Sequence, residues 1–498
     1  MISEDTICAI ATAQGGAIGV IRVSGPEAIN ITDQVFRSSG KPLAERKAYT
    51  IAYGQIVDEG MGEKCASGEN SVLGEDVRNG SVSGTNGEKV SRGEVIDEVL
   101  VNIFRAPHSF TGEDSVEIMC HGSSYILQRV MQLLIQHGCR SAQPGEYTQR
   151  AFLNGKMDLS QAEAIADLIA STNASSHRLA MSQMRGGFSA ELAKLRSMLL
   201  DFTSLIELEL DFSEEDVEFA DRQKLKELAT QMETFIVRLV ESFSVGNAVK
   251  NGIPVAIIGD TNAGKSTLLN LLVNDDRSIV SDIQGTTRDI IEDTVNLRGV
   301  TFRFIDTAGI RDTQDTIETL GIERTFKKLD QASIVLWVID ATTTPEQYRA
   351  LLTKIRPHCE GKKLVLLFNK TDLIDDAQRE SLFALAEETF GQSDAERLFI
   401  SAKRKENIAA LEDALQKAAA LPEINPNDVI VTNVRHYEAL VHVLDCIHRI
   451  QSGLESNLPG DLLSQDIREC IHYLSDILGE ITTDEVLGSI FSRFCIGK

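Results

Sequence analysis

The 498-residue chain contains no apolar run of the roughly 18 residues that a membrane span requires, so no membrane partner is expected. Its start, Met1-Ile-Ser-Glu-Asp, lacks the basic opening and apolar core of a signal peptide, which argues against export. Positive charge is also scarce: 49 Lys+Arg stand against 74 Asp+Glu, a formal net charge of −25. Such a surface holds phosphate backbones poorly, so any nucleic-acid partner must be met by a local patch or through a basic companion protein. The eight cysteines, at 8, 65, 120, 139, 359, 446, 470 and 495, form no C-x-x-C pair and no framework spacing. They read as reduced thiols in a cytoplasm. Cys120-His121 has no other soft ligands clustered near it and reads as structural. No internal repeat is visible.

What is present is a phosphate cradle. The run Gly259-Asp-Thr-Asn-Ala-Gly264-Lys265-Ser266 follows the apolar Pro254-Val-Ala-Ile-Ile258 and precedes the helix-prone Thr267-Leu-Leu-Asn-Leu-Leu272. Its glycines let backbone N–H groups turn inward on the α- and β-phosphates, Lys265 reaches the β/γ oxygens, and the Ser266 hydroxyl suits Mg²⁺ at a helix N-terminus. Three more loops follow β-like runs. Asp306-Thr-Ala-Gly309 supplies an acid for the magnesium shell and a glycine N–H for the γ-phosphate. Asn369-Lys-Thr-Asp372 offers a carboxylate able to accept two hydrogen bonds from guanine, which adenine cannot provide. Ser401-Ala-Lys403 lies against the base. The four loops, in this order, resemble the GTP-binding domain of translation-factor-type GTPases.

The length allows about three domains. Residues 1–155 alternate β-rich runs, such as Gly19–Val23 and Val95–Phe104, with a helix from Ser124 to Gln136, and read as an α+β unit. A Gly/Ser-rich segment near 60–93 reads as a disordered insert. From 156 to 250 a helical region is expected, opened by a capping box at Ser160-x-x-Glu163 and striped by Leu192, Leu195, Leu199, Phe202 and Ile206. The α/β P-loop GTPase domain, Ras-like in type, occupies 251–421. Helical spacing resumes in 422–498 at Leu440, Leu444 and Ile447, with Thr482-x-x-Glu485 opening a last helix. Helices on both sides, each with a stripe to bury, place the GTPase as an insertion in one all-α domain.

The residue after Asp306-Thr-Ala-Gly309 is Ile310, which can neither donate nor accept where many small GTPases carry a water-orienting Gln. The loop Ser281-Asp-Ile-Gln-Gly285-Thr286-Thr287 offers adjacent hydroxyls for a switch, and Thr287 joins Ser266 as a Mg²⁺ candidate. Asn262 brings a neutral carbonyl oxygen close to where charge builds between the phosphates. With the backbone carbonyls of Ser281 and Ile283, and with Thr286, it forms a candidate K⁺ site that would replace an arginine finger. The plainer alternative is that Asn262 only tightens the loop.

The loop asparagine, Asp282-Ile-x-Gly-Thr-Thr-Arg-Asp289, Asp306-Thr-Ala-Gly-Ile-Arg311 and the terminal Phe494-Cys-Ile-Gly-Lys498 together resemble the MnmE (TrmE) family of tRNA-modification GTPases. Phe110-Thr-Gly-Glu113, Pro144-Gly-Glu146 and Arg150-Ala-Phe-Leu-Asn-Gly-Lys156 are similar to that family's N-terminal stretches. Ser281 departs from the usual Thr, and the insert near 60–93 has no family role.

The resemblance implies a multidomain protein: an N-terminal α+β domain that binds tetrahydrofolate and dimerises, an all-α domain, and the inserted GTPase. It implies a GTP-binding set comprising Gly259, Asn262, Ala263, Gly264, Lys265, Ser266 and Thr267; the switch Ser281, Asp282, Ile283, Gln284, Gly285, Thr286 and Thr287; Asp306, Thr307, Ala308 and Gly309; and Asn369, Lys370, Asp372, Ser401, Ala402 and Lys403. Catalytic candidates are Asn262, Lys265, Glu318 as an arranger of water, and Cys495, which either adds to uridine C6 or only packs near the folate. Arg22, Glu117, Lys156 and Lys498 fall at folate-contacting positions. The implied cofactors are GTP, Mg²⁺, K⁺ and 5,10-methylene-tetrahydrofolate or its 5-formyl form. The implied partners are a second copy of the chain, an FAD-dependent protein of MnmG/GidA type in a heterotetramer, and tRNA. The implied reaction adds a carboxymethylaminomethyl or aminomethyl group at C5 of a wobble uridine. Two alternatives stay open: a regulatory switch in ribosome assembly, and a folate-dependent carrier whose GTPase is incidental.

Overall fold

The computed structural model describes residues 5–13, 15–59, 93–211, 222–260, 262–275, 293–305, 331–344, 347–349, 359, 361–390, 395–422, 428–456, 458–481, 483–492, 494 and 496–497. The chain divides into two compact units, 1–162 with 482–498, and 163–481. The insert expected near 60–93 lies outside the described residues except for Gly93.

The first unit is built on alternation. Its strands are β1 (Ile7–Ile10), β2 (Ile18–Ser24), β3 (Phe36–Arg37), β4 (Thr50–Asp58), β5 (Glu94–Phe104), β6 (Ser115–His121) and β7 (Arg140–Ser141). They form one sheet in the order β3-β4-β5-β6-β2-β1-β7. In β6, Val116, Ile118 and Cys120 are buried while Glu117, Met119 and His121 take the opposite face, as a period of two requires. Helices α1 (Ala28–Val35) and α2 (Ser124–Gln136) complete the core on the buried side, and α2 has the bounds read from sequence. After α3 (Glu146–Leu153) comes α4 (Leu159–Ala170). The expected Ser160/Glu163 box is corrected here: Gln161 N donates to Asp158 Oδ1 and Asp158 N to Gln161 Oε1, both at 2.9 Å. Asp158 wins because it stands one residue ahead of the first helical turn, where a side-chain acceptor satisfies an orphan N–H.

By contacts, residues 482–498 group with the first unit. The C-terminal helix Asp484–Phe491 is capped by Thr483, one residue later than read. It meets α3 at Gly145, whose φ is +66°, and a Cβ there would stand 2.7 Å from Phe491 O. Only glycine permits both the conformation and the approach.

The second unit holds α5 (Ala174–Met184), α6 (Gly187–Asp211) and α7 (Arg222–Asn251) before the nucleotide domain, and α11 (Val434–Glu455) and α12 (Gly460–Leu478) after it. The stripe Leu192, Leu195, Leu199, Phe202 and Ile206 is fully buried. It shares one core with Leu225, Met232 and Ile236 of α7, Leu440, Val443 and Ile447 of α11, and Ile467 and Leu474 of α12. Helices far apart in sequence thus bury each other's apolar faces, and the GTPase is an insertion in the helical domain. At about 1.5–3 kcal/mol per buried aliphatic side chain, neither half has reason to stand alone.

The inserted domain is a parallel α/β sheet in the order β13-β12-β11-β8-β10-β9, with only β9 antiparallel. Its strands are β8 (Ile253–Gly259), β9 (Asp293–Leu297), β10 (Val300–Phe304), β11 (Ile334–Asp340), β12 (Lys363–Asn369) and β13 (Ala395–Phe399). The flanking helices are α8 (Lys265–Asp275), α9 (Asp376–Phe390) and α10 (Ile408–Ala419). Central strands read as continuous apolar runs, such as Ile334 to Ile339, because helices cover both faces. Among the described residues no helix is long and apolar enough to cross a membrane.

Candidate functional site

The phosphate loop leaves the carboxyl end of β8, where ligands bind in sheets of this kind. At Gly259, φ is +147° and a Cβ would collide with the Val338 carbonyl of β11. Asn262 is left-handed at φ +66°. At Gly264, φ is +97° and a Cβ would drive into Asn369 Nδ2. Leu268 N donates to Gly264 O at 2.9 Å and begins the α8 ladder. Lys265, Ser266 and Thr267 therefore occupy the first turn, where the helix dipole favours an anion. Lys265 Nζ donates to Gly259 O and Asp260 O, each at 2.7 Å, so the ammonium already lies across the loop mouth.

The base-side loops are tied to this cradle by Asn369. Its Nδ2 donates 2.8 Å to Ala263 O, and its Oδ1 accepts from Ala402 N at 3.0 Å. The buried amide thus staples the phosphate loop to the 401–403 loop, a role that residue type alone did not reveal. Lys370, left-handed at φ +67°, donates 2.6 Å to Asp340 Oδ2. Asp340, missed in sequence, ends β11. Burial opposes its ionisation, but Lys370 and Thr342 hold its carboxyl below the ordinary range. Asp372 Oδ1 accepts from Ser401 Oγ at 2.8 Å, and this bond lowers its pKa, so the carboxylate is ready as an acceptor. Ser401 is fully buried, Ala402 buried and Lys403 exposed.

The structure brings the cradle, Asn369, Lys370, Asp372, Ser401 and Ala402 together. Ser281 through Thr287, Asp306 through Gly309, Ile310, Glu318, Cys495 and Lys498 lie outside the described residues.

A second constellation sits on the sheet of the first unit. Arg22 and Glu117 are cross-strand partners in β2 and β6. Arg22 Nε and Nη2 donate to Glu117 Oε1 at 3.1 and 2.8 Å. The guanidinium lies 5.7 Å from the Phe110 ring centroid and 5.6 Å from that of Tyr147, within cation–π range. Arg22 Nη1 also donates to Gly497 O at 3.4 Å, which brings the chain's end to this corner. The loop carrying Phe110 holds Lys156 through Pro107 O at 2.9 Å. Phe110 stands in a family-like stretch, whereas nothing in the sequence pointed to Tyr147 here.

Those stretches also supply a buried network. Arg150 Nη1 donates to Asp5 O at 2.8 Å, and Nη2 donates to Asp5 Oδ1 at 2.7 Å and Glu146 Oε1 at 3.0 Å. Glu113 joins at 3.2 Å, and Arg140 grips Glu146 and Asp5. Burial raises the Glu146 pKa, but Arg140, the Gln143 N–H and Arg150 outweigh it and hold the carboxyl low. Cys120 is buried and donates toward Gly19 O at 3.6 Å, while the His121 ring pairs with Asp97.

Comparison with known proteins gives a family. The MnmE helical domain family matches residues 159–495, and the family described as the GTP-binding protein TrmE N-terminus matches residues 6–156. The chain is 63% identical over its full length, and the relative's, to the tRNA modification GTPase MnmE of Phocaeicola vulgatus. It is also 63% identical, with full coverage of both chains, to the protein of that name from Bacteroides thetaiotaomicron. The identity to the Flavobacterium johnsoniae protein of that name is 47%, again over the whole of both chains.

Proposed function

The chain belongs to the MnmE family of tRNA modification GTPases, and from that premise we propose how its sites divide the work. It is a GTP hydrolase of tRNA modification. Hydrolysis is promoted by potassium and acts with an FAD-dependent partner of MnmG/GidA type and a one-carbon tetrahydrofolate. The product is a wobble uridine carrying an aminomethyl-type group at C5, made by a homodimer in the cytoplasm.

The observation that carries the nucleotide reading is the Asn369 staple across a glycine cradle. It ties the phosphate-side loop to the base-side loop, and donors held in place cost nothing to rearrange during reaction. Phosphate oxygens take the place of the Gly259 and Asp260 carbonyls at Lys265. Asp372, held by Ser401, accepts from the guanine edge. Ser266 with Thr287 would hold Mg²⁺, and Asn262, left-handed at φ +66°, with Ser281, Ile283 and Thr286 would hold K⁺. When bound they supply positive charge to the phosphate oxygens. Glu318 arranges the attacking water in place of Ile310.

For folate, the partly exposed Arg22–Glu117 pair offers a cation for the glutamate tail and a carboxylate for a pterin's donor edge. Lys156 and Lys498 add cations, and the Gly497 contact with Arg22 supports an approach by the C-terminus. Cys495 lies two residues from that contact.

Turnover of GTP in potassium and in sodium tests the cation. Equal rates would overturn it. Glu318→Ala is expected to cut turnover by about 10²-fold while sparing GTP affinity, the usual size of a positioning effect. Mass analysis of tRNA wobble nucleosides from cells lacking the chain tests the biology, since persistence of the aminomethyl-type group would refute it.

A further inference from the structure

On a chain of net charge −25, residues 37–47 run against the trend, with Arg37, Lys41, Arg46 and Lys47 against Glu45 alone. Arg37 is paired with Glu59. Arg46 instead gives its hydrogen bonds to neutral oxygens, Nε to Lys41 O and Nη2 to Ser38 Oγ, both at 2.8 Å. Lys41 and Lys47 are exposed, and among the described residues Lys41, Arg46 and Lys47 form no ion pair. Arg105, just past β5, reaches the same loop: its Nη2 donates to Ala44 O at 2.7 Å and to Arg46 O at 3.2 Å, while the Asp114 carboxylate stands 3.9 Å from Nη1. A guanidinium bonded to carbonyls keeps its net charge for an incoming anion.

Tyr49 closes this loop. It is left-handed at φ +60°, a strained conformation for so large a side chain, and it is 66% exposed. Its hydroxyl donates 2.7 Å to His108 O, and its ring meets Phe104 edge-on at 6.0 Å, so the ring is fixed although most of it faces solvent. The loop that carries His108 also holds Lys156 through Pro107 O and sets Phe110 against Arg22, so Tyr49 borders the folate corner.

Side chains cannot read the deep, narrow major groove of an A-form helix, so a uridine modified at C5 is presented by a single-stranded loop. Such loops are held by cations along the phosphates and by aromatic rings on which bases stack. We propose that Lys41, Arg46, Lys47 and Arg105, with Tyr49, are the RNA-docking patch of the first unit: the cations hold phosphates of the loop that carries the target uridine, and a neighbouring base stacks on Tyr49. This rests on the wobble-uridine reading and adds the surface by which so acidic a chain holds its substrate.

The test titrates the full chain into a fluorescein-labelled anticodon stem-loop RNA and reads anisotropy over a potassium chloride series. Lys41→Gln with Lys47→Gln is expected to weaken binding about tenfold at low salt and to reduce the slope of log affinity against log salt by about 1.5, at about 0.7–0.9 per phosphate contact. Both lysines are exposed, so the unfolding transition is expected to stay where the parent's is. Tyr49→Leu is expected to weaken binding about tenfold with the slope unchanged, and Tyr49→Phe, which keeps the ring, to bind as the parent does. Tyr49→Phe as weak as Tyr49→Leu would trace the effect to the His108 bond and overturn the stacking role. Equal affinity and slope in the parent and the lysine variant overturn the patch, as does a parent that holds no RNA; the wobble-uridine reading is judged separately, by the nucleosides of cells lacking the chain. Tighter binding to phosphatidylglycerol vesicles than to the RNA, lost in the same lysine variant, would assign the cations to a lipid surface and overturn the proposal as well.

Discussion

The first unit contains two constellations of arginine and carboxylate made from the same residue types, and they are built for different ends. In one, the Arg150 side chain is 6% exposed, and both its terminal nitrogens donate into Asp5, Glu113 and Glu146. In the other, Arg22 is 22% exposed, spends two donors on one oxygen of Glu117, and lies over aromatic faces. Saturation and burial make the first a structural clamp; partial exposure leaves the second able to exchange its partner for a ligand. Motif membership did not separate them, since Glu113, Glu146 and Arg150 sit in the same family-like stretches as Lys156.

Breaking the clamp gives the largest effect. Arg150→Met leaves Glu146 and Glu113 short of a buried counter-charge, and removing one partner of such a set costs about 3–5 kcal/mol. Urea unfolding of the full chain should show this loss in the transition of the first unit. A loss under about 1 kcal/mol would erase the distinction between the two arginines.

Glu163 sharpens the comparison with a third set, in the second unit. Its carboxylate is met by His436 Nε2 at 2.6 Å and by Arg435 Nε at 3.1 Å. Burial opposes ionisation, but His436 and Arg435 bring its pKa from 4.5 down to about 2. A carboxylate lowered on folding stabilises the protein fully above its unfolded value, and that gain is lost as pH falls from about 4.5 toward about 2. The gap is worth about 3 kcal/mol, with about 2 kcal/mol gone by pH 3. Glu163→Gln should be less stable at pH 7 and lose less than the parent between pH 5.5 and pH 3. Equal acid sensitivity in the two proteins would remove Glu163 from the clamp class.

Sequence revealed the parts whose signal is local. The cradle Gly259–Ser266 follows a strand and opens a helix because spacing and glycine content alone dictate it, and the 3-4 stripe of Leu192 to Ile206 reports burial directly. Partnerships that close over long separations stayed hidden. Glu163 was read as a helix cap from its three-residue spacing to Ser160, whereas its partners lie about 270 residues away. The place of Asn369 in the nucleotide-binding set says nothing of the bonds its amide makes to Ala263 and Ala402, 106 and 33 residues distant. A side chain's type limits what it can bond, but only the fold decides which atoms arrive.

The smallest expected effect falls on Arg22. Its pairing with Glu117 is partly exposed, so the ion pair contributes about 0–1 kcal/mol. The Phe110 and Tyr147 rings add about 0.5–1 kcal/mol of cation–π attraction at such a site. The Tyr147 hydroxyl bonds the Arg22 carbonyl at 2.7 Å, a contact that survives side-chain truncation. Arg22→Ala should therefore lower the unfolding free energy by about 1 kcal/mol, leave the β2–β6 pairing intact, and weaken binding of a reduced folate measured by calorimetry. Lost stability of the size expected for Arg150→Met, or undiminished folate affinity, would make Arg22 another clamp and leave this partly exposed corner without a ligand.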